Sequence, residues 1–158
     1  MMETMARDSR SLAVRRLSLL LVGLLAFAGW MSSVQARAQG QAVHKVVIQV
    51  SHPDPAEHKI ALNMAANLQR LYGLDNVEIE IVAFGRGLAI LTPKSPEALR
   101  VKSLAMQNVK FSACANTMAK IERKTGKKPT LTEGVGIVPA GVARIVELQE
   151  QGYAFTAP

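Results

Sequence analysis

The chain of 158 residues has a single cysteine, Cys114, and only three histidines. One cysteine excludes an internal disulfide, and no Cys/His set has zinc spacing, so neither a metal nor a cofactor is expected. His52 and His58 are separated by Pro53-Asp54-Pro55 and a helix start, share no face, and read as loop and surface histidines. Aromatics are sparse: one Trp, two Tyr and four Phe. None is interleaved with the basic residues, which argues against a nucleic-acid partner. Gly85-x-Gly87 lacks the third glycine of a dinucleotide fingerprint and reads as a tight turn. Gly126-Lys127 lacks the first glycine and the trailing Ser/Thr of a P-loop. There is no internal repeat and no low-complexity segment.

What is present begins with a leader. Arg7, Arg10, Arg15 and Arg16 outweigh Glu3 and Asp8, Leu17 to Met31 is almost wholly apolar, and small-residue cleavage sites follow at Val34-Gln35-Ala36 or Ala36-Arg37-Ala38. That succession is a secretory signal. The apolar run is shorter than the about 20 residues of a membrane span. Residues 1–38 are therefore expected to be a signal peptide and residues 39–158 one exported, periplasmic α/β domain, with no stable membrane span after cleavage. Arg15-Arg16 hints at twin-arginine export, but Ser18 weakens the hint and ordinary secretion is expected. Of 19 basic and 12 acidic side chains, five and two fall in the leader, leaving a mild excess of 14 over 10. Such an excess is compatible with anionic partners and specifies none.

Beyond the leader, strands alternate with helices. Lys45 to Val50 is a β-branched run. Asp54, Pro55 and Glu57 supply an N-cap, a proline at the first helical position and a capping-box acid for a helix ending at Gly73. Ile60, Met64, Leu68 and Leu71 form its expected apolar stripe, with Asn67 inside it and Asn63 at its edge. Such amides either bond to neighbouring backbone or face a ligand. Strands follow at 76–84, 109–113, 134–138 and 153–155, with a helical turn at 88–91 and helices at 96–107, 116–124 and 142–151. The order β-α-β-α-β-α-β-α-β predicts a parallel sheet covered on both faces.

Open parallel sheets bind ligands beyond the carboxyl ends of their strands. Those ends carry Ser51-His52-Pro53-Asp54, Gly85-Arg86-Gly87, Cys114-Ala115-Asn116-Thr117 and Pro139-Ala140-Gly141. Cys114 thus stands at a strand-to-helix junction, among amide donors that favour an anion, with Arg86 and His52 as candidate neighbours. Two readings of Cys114 stand side by side: a thiolate with a lowered pKa, or a buried small hydrophobe. Lys120, Arg123, Lys124, Lys127 and Lys128 form either a solvated face or a surface for an anionic partner.

The residues from Lys45 onward resemble the DsrE/DsrF-like family (the YchN-like, sulfur-relay superfamily), in its exported branch. The resemblance is carried by Val47-Ile48-Gln49-Val50-Ser51, Ala61 to Asn67, Val77 to Gly85 with Gly87-Leu88, and Val109-Lys110-Phe111 through Cys114-Ala115-Asn116-Thr117-Met118. Val138 to Val142 and Leu148 to Ala154 continue it. It implies a three-layer α/β/α fold with a mainly parallel five-stranded sheet, and a homotrimer or homohexamer. It also implies that Cys114 carries sulfur as a persulfide, taken from or passed to a partner protein. Asn116, Thr117 and the amides after Cys114 would hold the anion, with Arg86, His52 and Asn67 as further binding candidates. The alternative is a non-enzymatic oligomeric module of the same fold that binds a small ligand or protein.

Overall fold

β-Branched residues dominate His44–Val50, and this run forms the first strand, β1. A computed structural model describes residues 43–158, so the expected leader over 1–38 lies outside the described residues. Five strands form one sheet: β1, β2 (Val77–Ala83), β3 (Val109–Cys114), β4 (Val135–Val138) and β5 (Ala154–Thr156). The order across the sheet is β4-β3-β2-β1-β5, and every pairing is parallel. Four helices connect them: α1 (Pro55–Tyr72), α2 (Ala98–Ala105), α3 (Ala115–Thr125) and α4 (Gly141–Glu150). A 3-10 segment at Gly85–Leu91 precedes α2. The three-layer α/β/α fold expected from the sequence is the fold observed.

The strand order explains how the helices are shared between the faces. β1 to β4 march in one direction, so right-handed crossovers put α1, α2 and α3 on one face. The last connection returns across the sheet to the far side of β1, which puts α4 on the other. The packing agrees. Ile48, Ile79, Ile81 and Phe111 meet Leu62, Val101 and Met118 in the larger core, whereas Val47 and Val82 meet Ile145, Leu148 and Tyr153 in the smaller one.

α1 starts as its sequence dictates. Asp54 accepts from the Ala56 N–H at 2.8 Å, and Pro55 opens the helix. Its buried face matches the expected stripe in part: Met64 and Leu68 pack half-buried against the larger core. His58, Ala61, Leu62, Ala65 and Gln69 face inward, while Ile60 is 46% and Leu71 72% exposed. The alanines let the helix axis approach the sheet, which bulkier Ile60 and Leu71 would prevent. Asn67 and Asn63 are accordingly exposed and accept from Arg70 and Arg100 at 3.0 and 2.6 Å. His58, read as a surface histidine, is buried, and its Nε2–H donates to the His52 carbonyl at 2.8 Å.

α2 is shorter than the expected 96–107. Ser95 to Glu97 form a turn in which the Ser95 hydroxyl accepts from the Glu97 N–H at 3.2 Å. The tight turn expected at Gly85-x-Gly87 is the first part of the 3-10 segment. A side chain at position 87 would sit 2.4 Å from the Val50 carbonyl oxygen, so only glycine fits. The Gly87 N–H donates to the Ser51 carbonyl at 3.0 Å and ties the ends of β1 and β2 together.

Candidate functional site

β3 and β4 are neighbours, and Cys114 is in register with Val138 at their carboxyl ends. From there the chain diverges. β3 runs into α3 on the three-helix face, and β4 runs through Pro139-Ala140 into α4 on the opposite face. Divergence of adjacent strand-end loops opens the crevice in which sheets of this kind bind ligands. Cys114 lies at that divergence as the buried N-cap residue of α3, with a dihedral ψ of 115° that turns the chain from strand to helix.

Two helix starts serve the thiol. Its sulfur makes no capping hydrogen bond to the first turn of α3, but the Thr117 hydroxyl and the backbone N–H groups of Gly141, Thr117 and Asn116 favour its anionic form. Gly141 is the first residue of α4, and the other donors belong to the first turn of α3. The Thr117 hydroxyl itself accepts from the Gly85 N–H at 3.0 Å, which leaves its own proton to point at sulfur. Burial, with the residue 5% exposed, pushes the thiol pKa up. The four donors outweigh it and hold the pKa below the ordinary 9.0. The Asn116 N–H also reaches the Pro139 carbonyl at 3.3 Å, joining the two loops below the crevice.

The position of α4 sets where the Gly141 N–H lies relative to the sulfur, and an ion pair between β2 and α4 holds that position. Glu80, in the middle of β2, is 1% exposed. Arg144, one turn into α4, bonds both its carboxylate oxygens, at 2.9 and 2.8 Å, and the Ser112 hydroxyl donates to one of them at 2.7 Å. Burial would push the Glu80 carboxyl up; Arg144 and Ser112 outweigh it and hold it below its usual range. The Glu80 bonds in turn raise the Arg144 guanidinium. Tyr153 adds a second tie, donating to Glu78 at 2.7 Å; burial and that carboxylate push its hydroxyl up to about 12. Gly141 is pressed against Phe84, where an added Cβ would lie 2.9 Å from the ring.

The expected site residues divide into two groups. Cys114, Asn116 and Thr117 stand together at the start of α3. Arg86 lies beside them, lining a cleft of about 440 Å3 with Phe84, Asn116, Thr117, Lys120 and Lys124, and is not among the groups that shift the thiol. His52 sits at the end of β1, two strands away, 3.5 Å from Glu57. Asn67 stands roughly 18 Å down α1 from Pro55, on the solvent side. Gly141 stands in one of the strand-end loops named from the sequence, whereas Glu80, Ser112 and Arg144 were not among the expected site residues. A carboxylate in the middle of a strand that is buried on both faces from Ile79 to Ala83 was the available signal. A second cleft, of about 590 Å3, lies at the opposite, amino-end edge between Val77, Asn108 and Gly134, and holds no nucleophile.

Comparison with known proteins follows the same lines. The family model described as DsrE/DsrF-like matches residues 44–156. No curated protein matches. Among solved structures, MTH1491 of Methanobacterium thermoautotrophicum, titled a protein of unknown function, is 32% identical and superposes with a TM-score of 0.64. That match covers 73% of this chain and 99% of the other. With its family match running from the first strand to the last, the chain belongs to the DsrE/DsrF-like family.

Proposed function

We propose that this protein is an exported sulfur carrier in which Cys114 holds sulfur as a persulfide. Membership of the DsrE/DsrF-like family supports a sulfur-relay-related function. The observation that supports the finer reading is the place of Cys114 between the starts of α3 and α4, where Thr117, Gly141 and Asn116 favour its anionic form. These groups favour the thiolate, which is the nucleophile, and would equally hold the terminal sulfur anion of a persulfide. With thiosulfate as donor, the thiolate attacks the outer sulfur. The S–S bond to the sulfonate breaks, sulfite leaves with the bonding pair, and Cys114 keeps the transferred sulfur as a persulfide anion. No second thiol exists in the chain to discharge it, so the acceptor is another molecule or subunit.

Export through a cleaved leader over 1–38 to the periplasm belongs to the same proposal and is supported by the basic, apolar and small-residue succession in the sequence. So does a homo-oligomer, trimer or hexamer. Val142, Val146 and Phe155, each about half exposed on the α4 face, are apolar side chains available to another copy.

The test is intact mass after exposure to thiosulfate or polysulfide. The wild type should gain the mass of one sulfur and Cys114→Ser should not; no gain in either removes the proposal. One observation favours the second reading, a non-enzymatic binding module: Cys114 is only 5% exposed. That reading requires slow alkylation at neutral pH, so fast alkylation decides against it.

A further inference from the structure

The α3 helix carries a long groove whose charge is all of one sign. Its near end is the cleft beside the thiol, with Arg86, Lys120 and Lys124 over a floor of Phe84 and Ile121. The second part, about 660 Å3, adjoins it at Ile121 and carries Lys94, Lys127 and Lys128 over Pro93 and Pro129. No carboxylate lines either part, and none of the six cations has a carboxylate within 4.0 Å among the described residues. The other clefts differ: the one at the amino-end edge sets Asp75 and Glu78 against Lys110, and a smaller one sets Glu133 against Lys102.

We propose that this groove is the docking surface for an acidic, extended segment of a partner protein. Shape and charge favour that occupant together. From Asn116 to Thr125 the helix alone spans roughly 14 Å, the length of about four extended residues. An apolar floor under a cationic rim suits a peptide that mixes acidic and apolar side chains. A nucleic acid is less suited, because Phe84, half-buried, is the sole aromatic in either lining and offers no row of stacking platforms. The groove ends at Asn116 and Thr117, the residues that hold the thiol. The proposal rests on the sulfur-carrier reading only for what the segment exchanges at that end; docking needs no thiol.

The experiment is fluorescence anisotropy on the protein as recovered from its expression host, with a labelled peptide of alternating Glu and Leu about a dozen residues long. The peptide should bind, and Lys120→Glu with Lys124→Glu should weaken it by about tenfold. Lys59→Glu with Arg70→Glu makes the same charge change on α1 and should alter binding by less than about twofold. Lys94→Glu with Lys127→Glu repeats the test at the far end should the first pair fail to fold. Equal losses in the groove and on α1 would overturn the proposal. So would equal binding of the peptide with Gln for Glu, tighter binding of oligothymidylate, or no binding. Cys114→Ser should bind the peptide as the wild type does. If it does so while the wild type takes up no sulfur, the carrier reading falls and the docking surface stands.

Discussion

The two faces of the sheet are built on different chemistry. On one, three helices bury an almost purely apolar core around Ile48, Ile81, Leu62 and Phe111. On the other, a single helix is held over a smaller core by two carboxylates, a guanidinium and two hydroxyls. Apolar packing is strong but tolerant of small shifts, because it scales with area and has no direction. A bidentate Arg–carboxylate pair is directional and fixes a helix in rotation and translation. The three-helix face therefore supplies most of the stability. The α4 face brings the first residue of α4, Gly141, among the groups that lower the thiol pKa.

The comparison breaks if a core truncation detunes the thiol as much as a change in the polar network does. Ile81→Ala should cost about 4 kcal/mol in chemical denaturation, the largest effect expected, and leave the pH dependence of Cys114 alkylation unchanged. Glu80→Gln should cost about 2 kcal/mol and raise the thiol pKa. The direction is diagnostic. Loss of a negative charge alone would lower a thiol pKa, whereas displacement of α4 raises it by withdrawing the Gly141 donor.

The same variant has a pH signature. Folding lowers the Glu80 carboxyl from its ordinary 4.5, so its contribution is full above that value and drains away as pH falls through the lower folded-state value. Acid unfolding of Glu80→Gln should lack that component. Gly141→Ala should show the smallest cost, about 1 to 2 kcal/mol, as Phe84 yields to the new methyl. It should also raise the thiol pKa, read from the same alkylation profile. If it does not, the first N–H of α4 does not act on the sulfur.

Local signals made most of the fold legible in advance. Asp54-Pro55 and Gly73 bounded α1, β-branched runs marked the strands, and their alternation with helices gave the parallel sheet. On α1, Met64 and Leu68 pack against the core as their hydrophobicity predicts, whereas Ala61 and Ala65 take the buried centre and Ile60 and Leu71 face out, because the small side chains permit close approach to the sheet. For the site, the strand-end rule brought Cys114, Asn116, Thr117 and Arg86 together. It could not tell that His52, on the same edge, is two strands away, since strand order is not a local property. Glu80 and Arg144 are 64 residues apart, and they meet only because the last crossover returns across the sheet. No local pattern encodes that return.

α4 has its face of the sheet to itself, and this has a consequence for folding. The apolar face can close around β1 to β4 with α1, α2 and α3 before α4 docks. Until then Cys114 ends a strand on an uncovered face, with the Gly141 donor still absent. The thiol that the completed molecule presents does not exist in the nascent chain. The surroundings that lower its pKa are complete only once the last helix has docked.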